Sequence, residues 1–273
     1  MDDVAVDGLR IAFEAAGQGP ALVLLHGAFS DSRFWRQQLE SLSDDFTVVA
    51  WDAPGCGRSA DPPATFRRPD YADCLAGFID ALSLEAPHVV GLSFGGGLAL
   101  EHYRRYPNVP ATLTLASAYA GWAGSLPAHE VEARLDQVLA DAQRPVEEWV
   151  GEFLPHAFAR PVPPPVRNDF ATMMLDARPA GTVPMLRGFA EADLRDVLPQ
   201  VRVPVLLLYG DADVRSPLRV AEEMDAVLPQ SRLVVLPGIG HASNLEAPET
   251  FNDEVRTFLQ SVAPSRIGTP EQR

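Results

Sequence analysis

Six short apolar runs constrain this chain most: ALVLL (21–25), FTVVAW (46–51), HVVGL (88–92), ATLTLA (111–116), VPVLLLY (203–209) and RLVVLP (232–237). Each has the length of a strand and most are rich in Val and Leu without alternation. That pattern suits strands covered on both faces, as in a parallel sheet. Helix-like stretches separate them, at 32–42, 71–82, 95–106, 218–228 and 248–262. Strand alternating with helix predicts an α/β fold, a doubly wound, mostly parallel sheet flanked by helices. The earlier segment LRIAFEA (9–15) does alternate, and is expected to be an antiparallel edge strand.

One long segment breaks the alternation. Residues 119–189 are helical in pattern, carry no strand signal and hold much aromatic and methionine bulk, with a proline cluster, RPVPPPVR, at 160–167. The expected organisation is therefore a core of 1–118 and 190–262, a helical cap of 119–189, and a frayed tail of 263–273. Because the segment leaves after one parallel strand and returns before the next, it should stand over the carboxyl edge of the sheet.

Composition excludes several classes of function. The net charge of −15 disfavours nucleic acid and anionic membranes as partners. No apolar run reaches the length of a membrane span, and the acidic start MDDVAVDG lacks the basic region of a signal peptide, so a cytoplasmic location is expected. All 22 basic residues are arginine, which removes Schiff-base lysines and the lysine of a P-loop. The two cysteines do not form a CxxC pair, and no HExxH or other metal-ligand spacing occurs, so no metal or cofactor is expected. The partner is a small-molecule substrate; oligomeric state is not encoded in any pattern found.

The stretch HVVGLSFGGGLAL (88–100) carries the chemistry. Gly91-Leu92-Ser93-Phe94-Gly95 is G-x-S-x-G between a predicted strand and a predicted helix, the context in which a serine is held in a strained turn with its hydroxyl exposed. Side chains two residues before and after the serine would clash there, and Gly96 and Gly97 allow the helix to approach the sheet. A serine needs a base. Of six histidines, His241, in LPGIGHASNLEAP between the last strand and last helix, lies on the same sheet edge. An acid must orient that imidazole, and the loop GDADVRSP offers Asp211 and Asp213, either of which also suits a turn-capping role.

Taken together, Ser93, this loop and His241 resemble the α/β-hydrolase family over residues 9–118 and 190–262. The resemblance implies further roles. Gly210 and Pro217 match the G-x-x-D-x-x-x-P loop, which selects Asp213 as the triad acid. His26-Gly27-Ala28 looks like the oxyanion loop, with the N–H groups of Ala28 and Phe94 as donors, and Trp35 fits a tryptophan common just after it. Asp52-x-x-Gly55-x-Gly57-x-Ser59 looks like a structural turn of the family. The implied reaction is hydrolysis of a small to medium, largely apolar ester or lactone through an acyl-enzyme, as in carboxylesterases, lactonases and haloperoxidase-like enzymes. Carbon–carbon bond hydrolases and cofactor-free perhydrolases share the triad, and some members are slow ligand-binding receptors. Within the cap, Trp122, Trp149, Phe153, Phe170, Met174 and Met185 are expected, with Trp35, to bind substrate, while Arg160, Arg167, Arg178 and Arg187 are available to hold one carboxylate.

Overall fold

The computed structural model describes residues 2–262, so the expected tail at 263–273 lies outside the described residues. Eight strands form one sheet: β1 (Asp2–Val6), β2 (Leu9–Ala16), β3 (Ala21–Leu25), β4 (Thr47–Trp51), β5 (His88–Leu92), β6 (Thr112–Ala116), β7 (Val205–Gly210) and β8 (Ser231–Leu236). Their spatial order is β1-β2-β4-β3-β5-β6-β7-β8. From β4 to β8 neighbouring strands run parallel, and β2 pairs antiparallel with both β1 and β4. The Val/Leu runs thus become the strands they predict, with β5 held centrally between β3 (Leu25 opposite Gly91) and β6 (Gly91 opposite Leu115).

Two details differ from the sequence reading. The alternating segment β2 is not the edge, because β1 pairs outside it through a turn at Asp7 and Gly8, both at positive φ (47° and 83°). That Asp-Gly turn suits a two-residue hairpin. Only Val6 of β1 is buried; its side chain fills the place a Cβ would take on Gly77. The exposed Asp2 and Asp3 put charge on the free edge, which discourages further pairing. At the other edge β8 is only partly covered, with Arg232 and Val235 exposed, so its apolar run reflects one buried side and not two.

Between strands, α1 (Arg36–Leu42) follows a 3-10 turn at Ser32–Trp35 whose N-cap Asp31 accepts the Arg33 N–H. Helix α2 (Arg68–Ala81) pairs with α3 (Phe94–Arg105), and α3 lies along β3, β5 and β6. The 119–189 segment contains α4 (Ala128–Asp141), α5 (Val150–Ala157), α6 (Pro164–Leu175) and most of α7 (Pro179–Ala190), and no strand among the described residues. Its proline cluster does not interrupt a helix so much as start one: Pro163 is the N-cap of α6 and prolines fill its first positions, where the missing N–H costs nothing. The two ends of this segment are joined by backbone hydrogen bonds. Trp122, Ala123 and Gly124 donate to the carbonyls of Phe189, Ala190 and Ala192, and Leu194 donates back to Ala120. After β7 come α8 (Leu218–Asp225), then, after β8, the short α9 (Ser243–Glu246) and α10 (Pro248–Ser261), which packs on α1. No helix among the described residues is long and apolar enough to cross a membrane.

Candidate active site

Because β5, β7 and β8 are parallel, the loops after them open on one edge of the sheet, and each carries one of the three expected groups. Ser93 sits between β5 and α3 at φ 54° and ψ −114°. A left-handed φ for a non-glycine residue costs of order 1–3 kcal/mol and persists only when its surroundings impose it. Here they do: the Ser93 N–H donates to Ala116 O at the end of β6 (2.9 Å), and its carbonyl accepts from the N–H groups of Gly96 and Gly97 (3.0 and 3.2 Å). A Cβ on Gly91 would run into the Gly95 carbonyl, and one on Gly95 into the Leu25 carbonyl. Both obstacles are backbone of the central strands and the turn itself, so neither can yield. Gly96 allows close approach to Ala118 just beyond β6, as expected, but Gly97 faces the Phe189 ring and so admits α7, not the sheet.

His241 Nδ1 is 2.8 Å from Asp213 Oδ2. Opposite a carboxylate, Nδ1 carries the proton, which leaves the Nε2 lone pair free. The other carboxylate oxygen, Oδ1, accepts the backbone N–H groups of Arg215 and Ser216, each at 2.8 Å. Asp213 therefore fills both roles open to it from sequence, one per oxygen: it caps its own turn and faces the histidine. Burial by itself would raise its pKa, but the His241 ring and the Ser216 N–H outweigh that and hold the carboxyl below the usual range. Asp211, by contrast, points away and accepts the Gly238 N–H, tying the loop after β7 to the loop after β8.

The loop after β3, expected from sequence to receive the oxyanion, is built on His26. Its Nδ1 lies 2.7 Å from Gly27 O and its Nε2 accepts the Ala53 N–H at 3.0 Å, so both ring nitrogens are committed to backbone. Burial lowers the pKa of this imidazole and keeps it neutral, which the acceptor role of Nε2 requires. Among the described residues neither the Ala28 nor the Phe94 N–H donates a hydrogen bond. The turn at 52–59 is structural: Asp52 accepts the N–H groups of Ser32 and Arg58 (2.8 and 2.9 Å), and the Ser59 hydroxyl donates to Asp52 O (2.6 Å).

Ser93, His241 and Ala28 line one cavity of about 30 Å³, together with Phe153 of α5 and Phe170 of α6. A larger groove of about 620 Å³ shares Phe29, Phe153 and Arg215 with it and extends between Trp122, Trp149 and Arg134. The aromatic residues form a connected wall, with Phe29 edge-on to Trp149 (5.2 Å between centroids) and to Phe153 (5.7 Å). Four of the seven expected substrate-binding residues thus face these spaces. The other three do not. Trp35 is fully buried against Phe34 and Phe251, and Met174 and Met185 are buried in the packing of α6 and α7. Sequence cannot separate them from the lining residues, since all are large and apolar.

The arginines expected to be available also turn elsewhere. Arg160 donates to the carbonyls of Pro237 and Gly238, and Arg178 binds Asp61 and the carbonyls of Gly57 and Ser59. Arg167 and Arg187 are exposed and line neither space. The arginine that does reach the cavity is Arg215, two residues after Asp213, and its position is set by the turn that Asp213 caps. A wider depression of about 1,330 Å³ lies at the opposite edge of the sheet, beside His88 and Val203, remote from all of these groups. Among the described residues no cluster of three or more His, Cys, Asp or Glu is placed to hold a metal ion.

The sheet order, the strained serine turn and the Asp–His pair at one sheet edge define an α/β hydrolase. Residues 22–254 match the model of the alpha/beta hydrolase family, and the chain belongs to it. A 113-residue stretch, 41% of the chain, is 37% identical to an uncharacterized protein of Mycobacterium tuberculosis, of whose length it covers 33%. Over 91% of the chain and 98% of the relative, it is 31% identical to a pimeloyl-(acyl-carrier protein) methyl ester esterase of Vibrio campbellii. Among solved structures, a thermophilic esterase from Thermogutta terrifontis superposes with a TM-score of 0.87 at 30% identity, covering 95% of this chain and 98% of that one.

Proposed function

We propose that this protein is a serine hydrolase that cleaves a small to medium, largely apolar carboxylic ester or lactone through an acyl-enzyme on Ser93. One observation carries the reading: a serine in a strained turn and an Asp213-bound His241 open on the same cavity. In the first half-reaction Ser93 Oγ attacks the acyl carbonyl carbon while His241 Nε2 takes its proton. Asp213 keeps the imidazole in the Nδ1–H tautomer and stabilises the imidazolium. The N–H groups of Ala28 and Phe94, which have no acceptor among the described residues, receive the oxyanion, and the start of α3 adds its positive dipole end. His241 then protonates the leaving alcohol; in the second half-reaction it takes a proton from water that attacks the acyl carbon, and returns that proton to Ser93 Oγ as the Ser93–acyl bond breaks and the acid leaves. The helices of the insertion serve as a cap whose aromatic wall limits what reaches Ser93. Relatives of this length that are named esterases support an ester as the substrate.

The test is hydrolysis of p-nitrophenyl acetate and butyrate together with labelling by a fluorophosphonate. Ser93→Ala should fold and lose up to about 10⁶ in kcat along with the label. Labelling of wild-type protein at another residue, or a Ser93→Ala variant that keeps most of its turnover, would refute the assignment. A single slow turnover by the wild type would point instead to a receptor.

A further inference from the structure

Among the described residues Arg215 is the one arginine that lines the cavity at Ser93, and the acyl-transfer steps do not use it. Its guanidinium lies over the Phe153 ring, 4.4 Å from the centroid, and its side chain lines both the 30 Å³ cavity and the 620 Å³ groove. It is half-buried, yet among the described residues no carboxylate stands within 4 Å of it and no acceptor hydrogen-bonds its guanidinium. Asp213, close by in sequence, is already committed at both oxygens to His241, Arg215 N–H and Ser216 N–H. The backbone of Arg215 is clamped in place, because Tyr119 OH and Arg134 Nη1 both donate to its carbonyl. Arg134 also lines the groove and makes no ion pair among the described residues, while of the groove's own carboxylates Asp141 is held by Gln137 and Arg144 and Glu152 sits exposed.

A guanidinium has five N–H donors, and one left without an acceptor beside an aromatic wall carries a desolvation cost that a bound anion relieves. Burial pulls the Arg215 pKa down from its ordinary value, but the group begins so high that it stays charged. The net charge of −15 repels anions at long range, yet that field is screened beyond about 8 Å at physiological salt, so the local cation decides. Size fixes which half of the substrate bears the charge. The cavity at Ser93 has room for about one water-sized group. A small alcohol fits there, and the acyl chain must run past Arg215 into the groove.

We infer that Arg215 binds a carboxylate on the acyl chain of the substrate, so that the preferred esters are monoesters of dicarboxylic acids with a small alcohol. This rests on the serine-hydrolase reading of Ser93. The test compares kcat/KM for monomethyl glutarate with that for its carboxamide counterpart, methyl glutaramate, which has the same shape and no charge. A charge-assisted hydrogen bond to a half-buried guanidinium predicts a wild-type preference for the carboxylate of about 10- to 100-fold. Arg215→Gln should bring the ratio near one, and Arg215→Lys should retain part of it. Arg215→Met, which keeps the stem on Phe153, serves the same purpose if Arg215→Gln does not fold. A wild-type ratio at or below one, or an unchanged ratio in the neutral variants, overturns the inference. Ser93→Ala is run on both esters: if it abolishes hydrolysis while wild type shows no carboxylate preference, only the inference fails, and if it leaves hydrolysis intact, the serine-hydrolase reading fails.

Discussion

Replacing Asp213 by Asn separates its two tasks. In Asp213→Asn the amide oxygen can still accept the N–H groups of Arg215 and Ser216, so the turn after β7 keeps its cap. The other terminus becomes an NH₂ facing His241 Nδ1 across a 2.8 Å gap that now holds one acceptor fewer. Two donors cannot share that bond, so the ring changes tautomer, accepts at Nδ1 and carries its proton at Nε2, where it can no longer take one from Ser93. The expected loss in kcat is about 10⁴, or about 5.4 kcal/mol at 1.36 kcal/mol per tenfold, with KM little changed. Stability at neutral pH should fall far less than in Asp213→Ala, where the two backbone donors lose their acceptor at about 1–3 kcal/mol each. The sign of the pH effect follows as well. A carboxyl held below its usual range adds stability above about pH 3.9, and that stability is lost as pH falls through the lowered folded value. The acid limb of the stability curve should therefore flatten in Asp213→Asn. Steady-state kinetics and urea unfolding at several pH values measure both. A kcat within tenfold of wild type, or an equal loss in Asp211→Asn, would refute the argument.

Alanine at Phe153, Phe170, Trp122 or Trp149 should shift acyl-chain preference across a C2 to C10 ester series, while alanine at Trp35, Met174 or Met185 should cost about 2–5 kcal/mol in urea unfolding and leave the preference in place. The opposite division would show that the cavity walls do not select substrate. His102, buried in α3 with Nε2 unpartnered among the described residues, has its pKa lowered by burial to about 4. The unfolded chain then binds a proton that the folded one refuses, so stability should fall between about pH 6.5 and 4 by at most about 1.4 kcal/mol per pH unit from this residue. Urea midpoints of wild type and His102→Phe at pH 7.5 and 5 check it: equal slopes with pH would contradict the assignment.

Much of this protein was legible along the chain because the features concerned are local. A strand buried on both faces must be apolar throughout, so the parallel strands from β3 to β7 announce themselves as Val/Leu runs. The turn at Ser93 carries its glycines at 91 and 95 within five residues, and the likeness of Gly210 to Pro217 to the family's G-x-x-D-x-x-x-P loop implies Asp213. β1 was not legible, because a two-sided charged edge with one buried valine has no pattern to distinguish it from a loop. Residue type and position in the chain also left open which large apolar side chains meet solvent-filled space: Trp35 and Trp149 differ only in what packs against them. The arginine that lines the cavity at Ser93 was hidden for the same reason. Arg160 and Arg178 find backbone carbonyls and Asp61 from distant parts of the chain, whereas among the described residues the Arg215 guanidinium finds no acceptor. Whether a charged side chain is spent on the fold or left facing the site depends on partners brought together across the chain, and only the tertiary structure brings them.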